Sequence, residues 1–398
     1  MIYNYDELVA GSLPETVDMP PGLAEDVKYV FSVTYTDPYP MSKEVFSEAA
    51  ANAIAKDYSS LGTYPPPQGH EGLRGLISES LSDSRGADIS IDNIFLASGA
   101  GGACQTLIDT FVDPGDVVLL DEYCYHGSLN MLLKKGARLE HVKMDDSGMN
   151  MDQLDAAINQ HLAEGTKPKL IYTIPVYQNP TGITMSLNRR YKMIELSHKY
   201  GIPIVENESY TDFRIDGPEL PPAMIGLDDE EGVMYISAFT KLLGCGLRLG
   251  FCAFPESARD SLSRANFGVS PSHLSSMIVY EYLKDFKDGY VEEVRSSLRS
   301  KRDAMLSALG EYFPPTCSWG EAAGGMMIWV TLPEGANTWD ALGRSVERGV
   351  KYNPGPIFRA DRDGVNRLRL TYSHNTPEEI DDGVSILADV FHDEGFFD

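Results

Sequence analysis

The sequence predicts an α/β fold, a mostly parallel central sheet flanked by helices and followed by a smaller C-terminal α/β unit. Three observations predict it. Short apolar runs alternate with helix-period stretches through the first two-thirds of the chain. Several of those runs are continuously apolar, as strands covered on both faces require. Near residue 285 the pattern changes to one long helical stripe. With 398 residues, 42% of them hydrophobic, more than one domain is expected.

The elements follow in order. Ile94–Ala97 reads as a strand, and the helix after it carries Ala103, Leu107, Ile108 and Phe111 on one face. Asp113-Pro114-Gly115-Asp116 is a turn into a strand at 117–120, and 170–174 is another buried strand. Ser186 is placed to N-cap a helix running to Tyr200, where Gly201 supplies the stop. Strands follow at 202–206 and 233–236. The long amphipathic helix carries Val291, Val294, Leu298, Met305 and Leu309 on one stripe, and strands return at 325–332 and 367–372. The expected division is an N-terminal arm over 1–45, a large domain over 46–285 and a small domain over 286–398.

A net charge of −26 and a pI near 4.6 argue against nucleic acid or an anionic membrane surface as partners. The acidity reads as solubility or as attraction of a cationic substrate, and net charge does not choose. No stretch approaches the length of a membrane helix, and the acidic N-terminus lacks the form of a signal peptide. Five scattered cysteines with no CxxC pair fit reduced thiols in a cytoplasm.

The chemistry gathers where strands end. Lys241 follows a strand and is flanked by Thr240, with Arg248 seven residues on. That set suits an aldehyde cofactor bearing a phosphate: the lysine forms an imine, while the hydroxyl and guanidinium hold the anion. Ser98-Gly99-Ala100-Gly101-Gly102-Ala103 joins a strand to a helix, and its small residues allow backbone N–H groups to close on a phosphate. It has neither dinucleotide-site nor P-loop spacing. Asn179-Pro180-Thr181-Gly182 and Glu206-Asn207-Glu208-Ser209-Tyr210 also fall at strand ends, on the edge where open α/β sheets bind ligands.

Together these segments resemble the class I/II aminotransferases of pyridoxal-5′-phosphate (PLP) fold type I, closest to the branch of 2-aminoadipate aminotransferases and MocR-type effector domains. The resemblance runs from about Tyr64 to Leu387. It rests on Tyr64-Pro65-Pro66-Pro67-Gln68-Gly69 with Leu73-Arg74, on Asn179-Pro180-Thr181-Gly182, on the Gly-x-Arg-x-Gly ending at Gly250, on Pro354-Gly355 and on Arg367-Leu368-Arg369-Leu370. It implies that Lys241 binds PLP and moves the substrate α-proton. Tyr125 then stacks on the pyridine ring, and Asn179 and Tyr210 bond its phenolic oxygen. Gly99, Ala100, Gly101, Thr240 and Arg248 hold the phosphate, and Arg369 pairs with the substrate α-carboxylate. Tyr64 reaches the phosphate of a neighbouring subunit, which implies a homodimer. No metal is implied.

Three departures stand out. The family's Asp three residues before the tyrosine aligned with Tyr210 is here Asn207, whose amide supplies no charge to keep a pyridine nitrogen protonated. Strand alternation points Glu206 and Glu208 away from Asn207. Ala238 stands where Ser or Thr is common, and the segment Phe31-Ser32-Val33-Thr34-Tyr35-Thr36-Asp37-Pro38-Tyr39-Pro40 lacks the usual Gly-rich entry, so its aromatics and Asp37 are expected to shape a different pocket. The first expectation is amino transfer between an L-amino acid and a 2-oxo acid. Asn207 raises a second, elimination, replacement, cyclisation or oxidation on the same fold. A non-catalytic PLP sensor is a third, disfavoured because no DNA-binding domain fits before residue 30.

Overall fold

The computed structural model describes residues 8–9, 11, 26–35, 42–266 and 268–397. Its central sheet has seven strands: β1 (Ile94–Ala97), β2 (Val117–Asp121), β3 (Arg138–Val142), β4 (Leu170–Thr173), β5 (Ile204–Asn207), β6 (Val233–Ala238) and β7 (Gly250–Ala253). They lie in the order β1-β7-β6-β5-β4-β2-β3. Strand β7 is antiparallel to β1 and β6, and every other neighbouring pair is parallel. The buried runs now have a cause. Alternate residues of each strand feed opposite cores: Val117, Leu119, Ile171 and Ile204 one way, Val118, Leu120, Tyr172 and Val205 the other.

Helices connect and cover the strands: α1 (Lys43–Asp57), α2 (Glu71–Arg85), α3 (Gly99–Phe111), α4 (His126–Lys134), α5 (Met151–Ala163) and α6 (Leu187–Tyr200). Gly201 ends α6 as expected, with φ of 60° and its N–H turned back on the helix carbonyls. Ser186 sits at the N-cap of α6, but its side chain caps nothing. The strands at 117–120 and 233–236 each run further, to Asp121 and Ala238, while 202–206 narrows to Ile204–Asn207.

The long helix α7 (His273–Tyr312) starts well before residue 285, because Ser272 accepts the Ser275 N–H and fixes an earlier start. It runs unbroken through the expected boundary. Its stripe Val291, Val294, Leu298, Met305 and Leu309 is buried. Beyond it a four-stranded antiparallel sheet forms from β8 (Ser318–Trp319), β9 (Met327–Thr331), β10 (Asn353–Pro354) and β11 (Arg367–Thr371), in the order β8-β9-β11-β10. The last helix, α8 (Pro377–Asp393), opens with a Thr376/Glu379 capping box and buries Ile380, Val384, Leu387 and Phe391. Burying each such side chain is worth about 1.5–3 kcal/mol.

Of the first 41 residues, the described part 26–35 packs on this second unit. Tyr29–Val30 pairs in parallel with Val350–Lys351, and Phe31 accepts the Thr371 N–H. Thr36 to Pro40, including Asp37, lie outside the described residues.

Candidate active site

Parallel strands β2, β4, β5 and β6 all deliver their carboxyl ends to one edge, and a cavity of about 340 Å³ opens there. Its walls include Ala100, Gly101, Tyr125, Asn179, Asn207, Tyr210, Thr240, Lys241, Arg248 and Arg369. Gly99 adjoins it. Tyr64 does not: its side chain is fully exposed, away from the cavity of its own chain.

Lys241 sits in the single helical turn after β6 and reaches back to donate to the Thr34 carbonyl at 3.0 Å. Burial lowers the pKa of its ammonium, with Arg369 and Arg248 adding to the effect and Cys245 and Tyr125 opposing it. At the far end, the N-terminus of α3 meets Thr240 and Arg248. Gly99 has φ of +76°, and a Cβ there would lie 3.5 Å from Thr240 Oγ1 and 3.6 Å from Arg248 Nη2. Gly250 is the reason β7 presses this close: a Cβ on it would come 2.6 Å from the Gly99 carbonyl carbon. Free backbone N–H groups, a hydroxyl and a guanidinium thus converge on one small space, which suits a phosphate.

Tyr125 stands at the N-cap of α4 with its ring over Gly127, where a Cβ would fall 2.5 Å from Tyr125 Cε1. Asn179 donates to the Tyr210 hydroxyl at 3.3 Å and accepts from Arg369 Nη1 at 2.8 Å. Arg369, on β11, also donates through Nη2 to the Ser32 carbonyl, while its buried Nε has no partner. Burial raises the Tyr210 phenol and Arg369 pulls it back, leaving it above its ordinary value.

Asn207 faces the cavity. Its amide donates to Tyr172 at 2.8 Å and accepts from Ser209 at 2.9 Å, and Tyr172 shares a hydrogen bond with Ser128 at 2.7 Å. Glu206 and Glu208 point to the opposite face, as alternation predicts. Arg190 bonds both, at 3.0 and 2.9 Å, and Arg85 grips Glu208 with two hydrogen bonds. Burial and the neighbouring Glu208 push Glu206 up to about 8. Burial alone raises Glu208, and the two arginines more than reverse it. Neither glutamate therefore slips in beside Asn207.

Sequence reasoning missed five contributors. Ser32 and Thr34 act through backbone carbonyls, which leave no composition signal. Gly127 clears the space under Tyr125. His126 and Cys245 also line the cavity, each next to a residue the motifs picked out.

Residues 36–387 match the family model described as aminotransferase class I and II. The chain belongs to that family. This class I/II aminotransferase is 32% identical over 358 residues to aromatic-amino-acid aminotransferase 1 of Thermococcus litoralis, covering 89% of this chain and 84% of that one. A multiple substrate aminotransferase from Thermococcus profundus superposes with a TM-score of 0.92 at 26% identity, over 99% of both chains. An α-aminoadipate aminotransferase from Thermus thermophilus, solved with N-(5′-phosphopyridoxyl)-L-leucine, gives 0.88 at 27% identity over 98% and 99%. The aminotransferase is a PLP-dependent transferase of PLP fold type I. These relatives favour transamination over the elimination, cyclisation or oxidation that Asn207 raises.

Proposed function

We propose that this aminotransferase moves an amino group from an L-amino acid to a 2-oxo acid in the cavity at the carboxyl edge of the sheet. The observation that carries the reading is that the Lys241 amine and the Arg369 guanidinium share one cavity, with the Gly99, Thr240 and Arg248 cradle at its far end. The residues fit PLP: an amine to attach it, a cradle for its phosphate, and a buried Arg369 Nε with no partner for a substrate carboxylate. When bound, PLP supplies an aldehyde and an electron-withdrawing ring that make the substrate α-proton removable. Burial keeps a larger share of Lys241 uncharged than water would, so Nζ is suited to accept that proton and return it. Tyr125 would cover one face of the ring, and the Asn179–Tyr210 pair would offer donors to its oxygen. Ala100 and Gly101 offer backbone N–H groups. Arg369 fixes the carboxylate of both donor and acceptor. The aminotransferase is divided into an arm, a large domain and a small domain, joined through α7.

The site is shared between two copies. Tyr64 is fully exposed and stands near exposed Tyr58 and Leu61, a surface that suits a partner of the same kind. Five free cysteines suit a cytoplasmic setting. No described helix is long and apolar enough to cross a membrane. The test is isotopic. The PLP-loaded protein receives a panel of 15N-labelled amino acids with a 2-oxo acid. The label is expected in the new amino acid made from the oxo acid. Label released as ammonia, with none transferred, would overturn the reading.

A further inference from the structure

His126 lines the cavity with Lys241 and Arg369, yet the roles given above leave it idle. It follows Tyr125 and begins α4, with the two rings 4.7 Å apart. Its other side meets the ring of Phe358 at 6.0 Å, and the Arg369 guanidinium lies 5.2 Å from the centre of that same ring. Imidazole and guanidinium therefore pack against one aromatic side chain.

The unpartnered nitrogen fixes the tautomer of the imidazole. Nδ1 is closed off and has no partner. An orphaned buried N–H is rarer and costlier than an orphaned lone pair, so the proton of the neutral ring belongs on Nε2. Nε2 is not among the enclosed orphan atoms, and the ring opens on the cavity. Burial, with Arg369 adding to it, pushes the imidazole down to about 4, so the ring is uncharged at neutral pH. Arg369 has a matching loose end in its unbonded Nε.

We infer that His126 is a positioning residue for the substrate carboxylate, its Nε2–H donating to the group that Arg369 holds. This rests on the reading of Arg369 as the carboxylate partner. A guanidinium alone locates the anion. A second donor from a different element also sets its rotation, and with it the angle at which the α-carbon is presented to Lys241. The donor is neutral, so it adds direction without a second buried charge. The ligand class is the carboxylate common to amino acids and 2-oxo acids.

The test reads binding rather than turnover. Calorimetry on the PLP-loaded protein measures 3-phenylpropanoate and the uncharged 3-phenylpropanol. A hydrogen bond to a charged group is worth roughly tenfold or more in affinity. His126→Phe is expected to weaken the carboxylate about tenfold and leave the alcohol unchanged, and His126→Gln to keep most of the affinity. An unchanged carboxylate affinity in His126→Phe, with a loss in Arg369→Lys, overturns the inference and leaves the carboxylate site standing. No loss in either variant overturns both. If His126→Phe fails to fold, the unaltered protein answers: its His126 ring 15N signals are expected to move with 3-phenylpropanoate and not with 3-phenylpropanol, and no movement overturns the inference.

Discussion

Replacing His126 with phenylalanine predicts a change in how stability responds to acid. The imidazole is pushed from 6.5 to about 4 by burial, with Arg369 the charged group acting on it. A base whose folded pKa lies below its unfolded one is protonated more readily in the unfolded chain. Its contribution is therefore present above pH 6.5 and is lost as pH falls toward 4. Between pH 7.5 and pH 5.5 the loss amounts to about 1 kcal/mol, on the scale of 1.36 kcal/mol per pKa unit. Denaturant titrations of the cofactor-free protein at both pH values measure it. Unaltered protein is expected to lose about 1 kcal/mol more than His126→Phe across that interval, whatever the offset between the two at pH 7.5. Equal losses in the two proteins would refute the burial of a neutral ring at this position.

Three further outcomes are expected. Borohydride followed by peptide mass spectrometry places the cofactor mass on Lys241, and Lys241→Ala carries none; a reducible adduct persisting in the variant contradicts the assignment. Asn207→Asp puts a carboxylate where the described neighbours are hydroxyls, so the cofactor-free protein loses about 1–3 kcal/mol, and added PLP relieves much of that loss. An equal loss with and without PLP would show that Asn207 does not face the bound ring. Arg190→Met removes the guanidinium that bonds Glu206 and Glu208; Glu206, pushed up to about 8, is mostly protonated at pH 7, so the ionised partner left short is Glu208. The expected cost is about 3–5 kcal/mol by denaturant titration; a loss below about 1 kcal/mol would show that Arg85 alone satisfies Glu208.

The strands and their order of chemistry were legible because they are written locally. Lys241, Asn179 and Tyr210 each stand just past a buried run, and the small residues after β1 mark the start of α3. Asn207 was legible as well, since alternation alone sends Glu206 and Glu208 to the other face. What the sequence did not display were contacts made by atoms every residue possesses. Ser32 and Thr34 serve the site through carbonyls, so no residue type advertises them. The start of α7 was misplaced because the cap at Ser272 precedes a stretch with a weak stripe. Ser186 stands where a cap belongs but leaves the α6 N–H groups unbonded by its side chain, a distinction that composition cannot make. His126 reads as one more polar residue until Phe358 and Arg369, far along the chain, are brought beside it.

The carbonyls of residues 32 to 34 carry a consequence for how the enzyme is made. Ser32 accepts from Arg369 and Asn353, Val33 from Thr371 and Thr34 from Lys241. On the ribosome, the segment that finishes the pocket emerges 321 to 338 residues ahead of three of its four partners. The strands and helices of the Gly99, Thr240 and Arg248 cradle precede residue 254 and have no such delay. A growing chain can thus assemble its central sheet early, yet the Arg369 end of the cavity stays open until β11 has been translated. During that interval the carbonyls of residues 32 and 33 lack the donors that hold them in the finished protein.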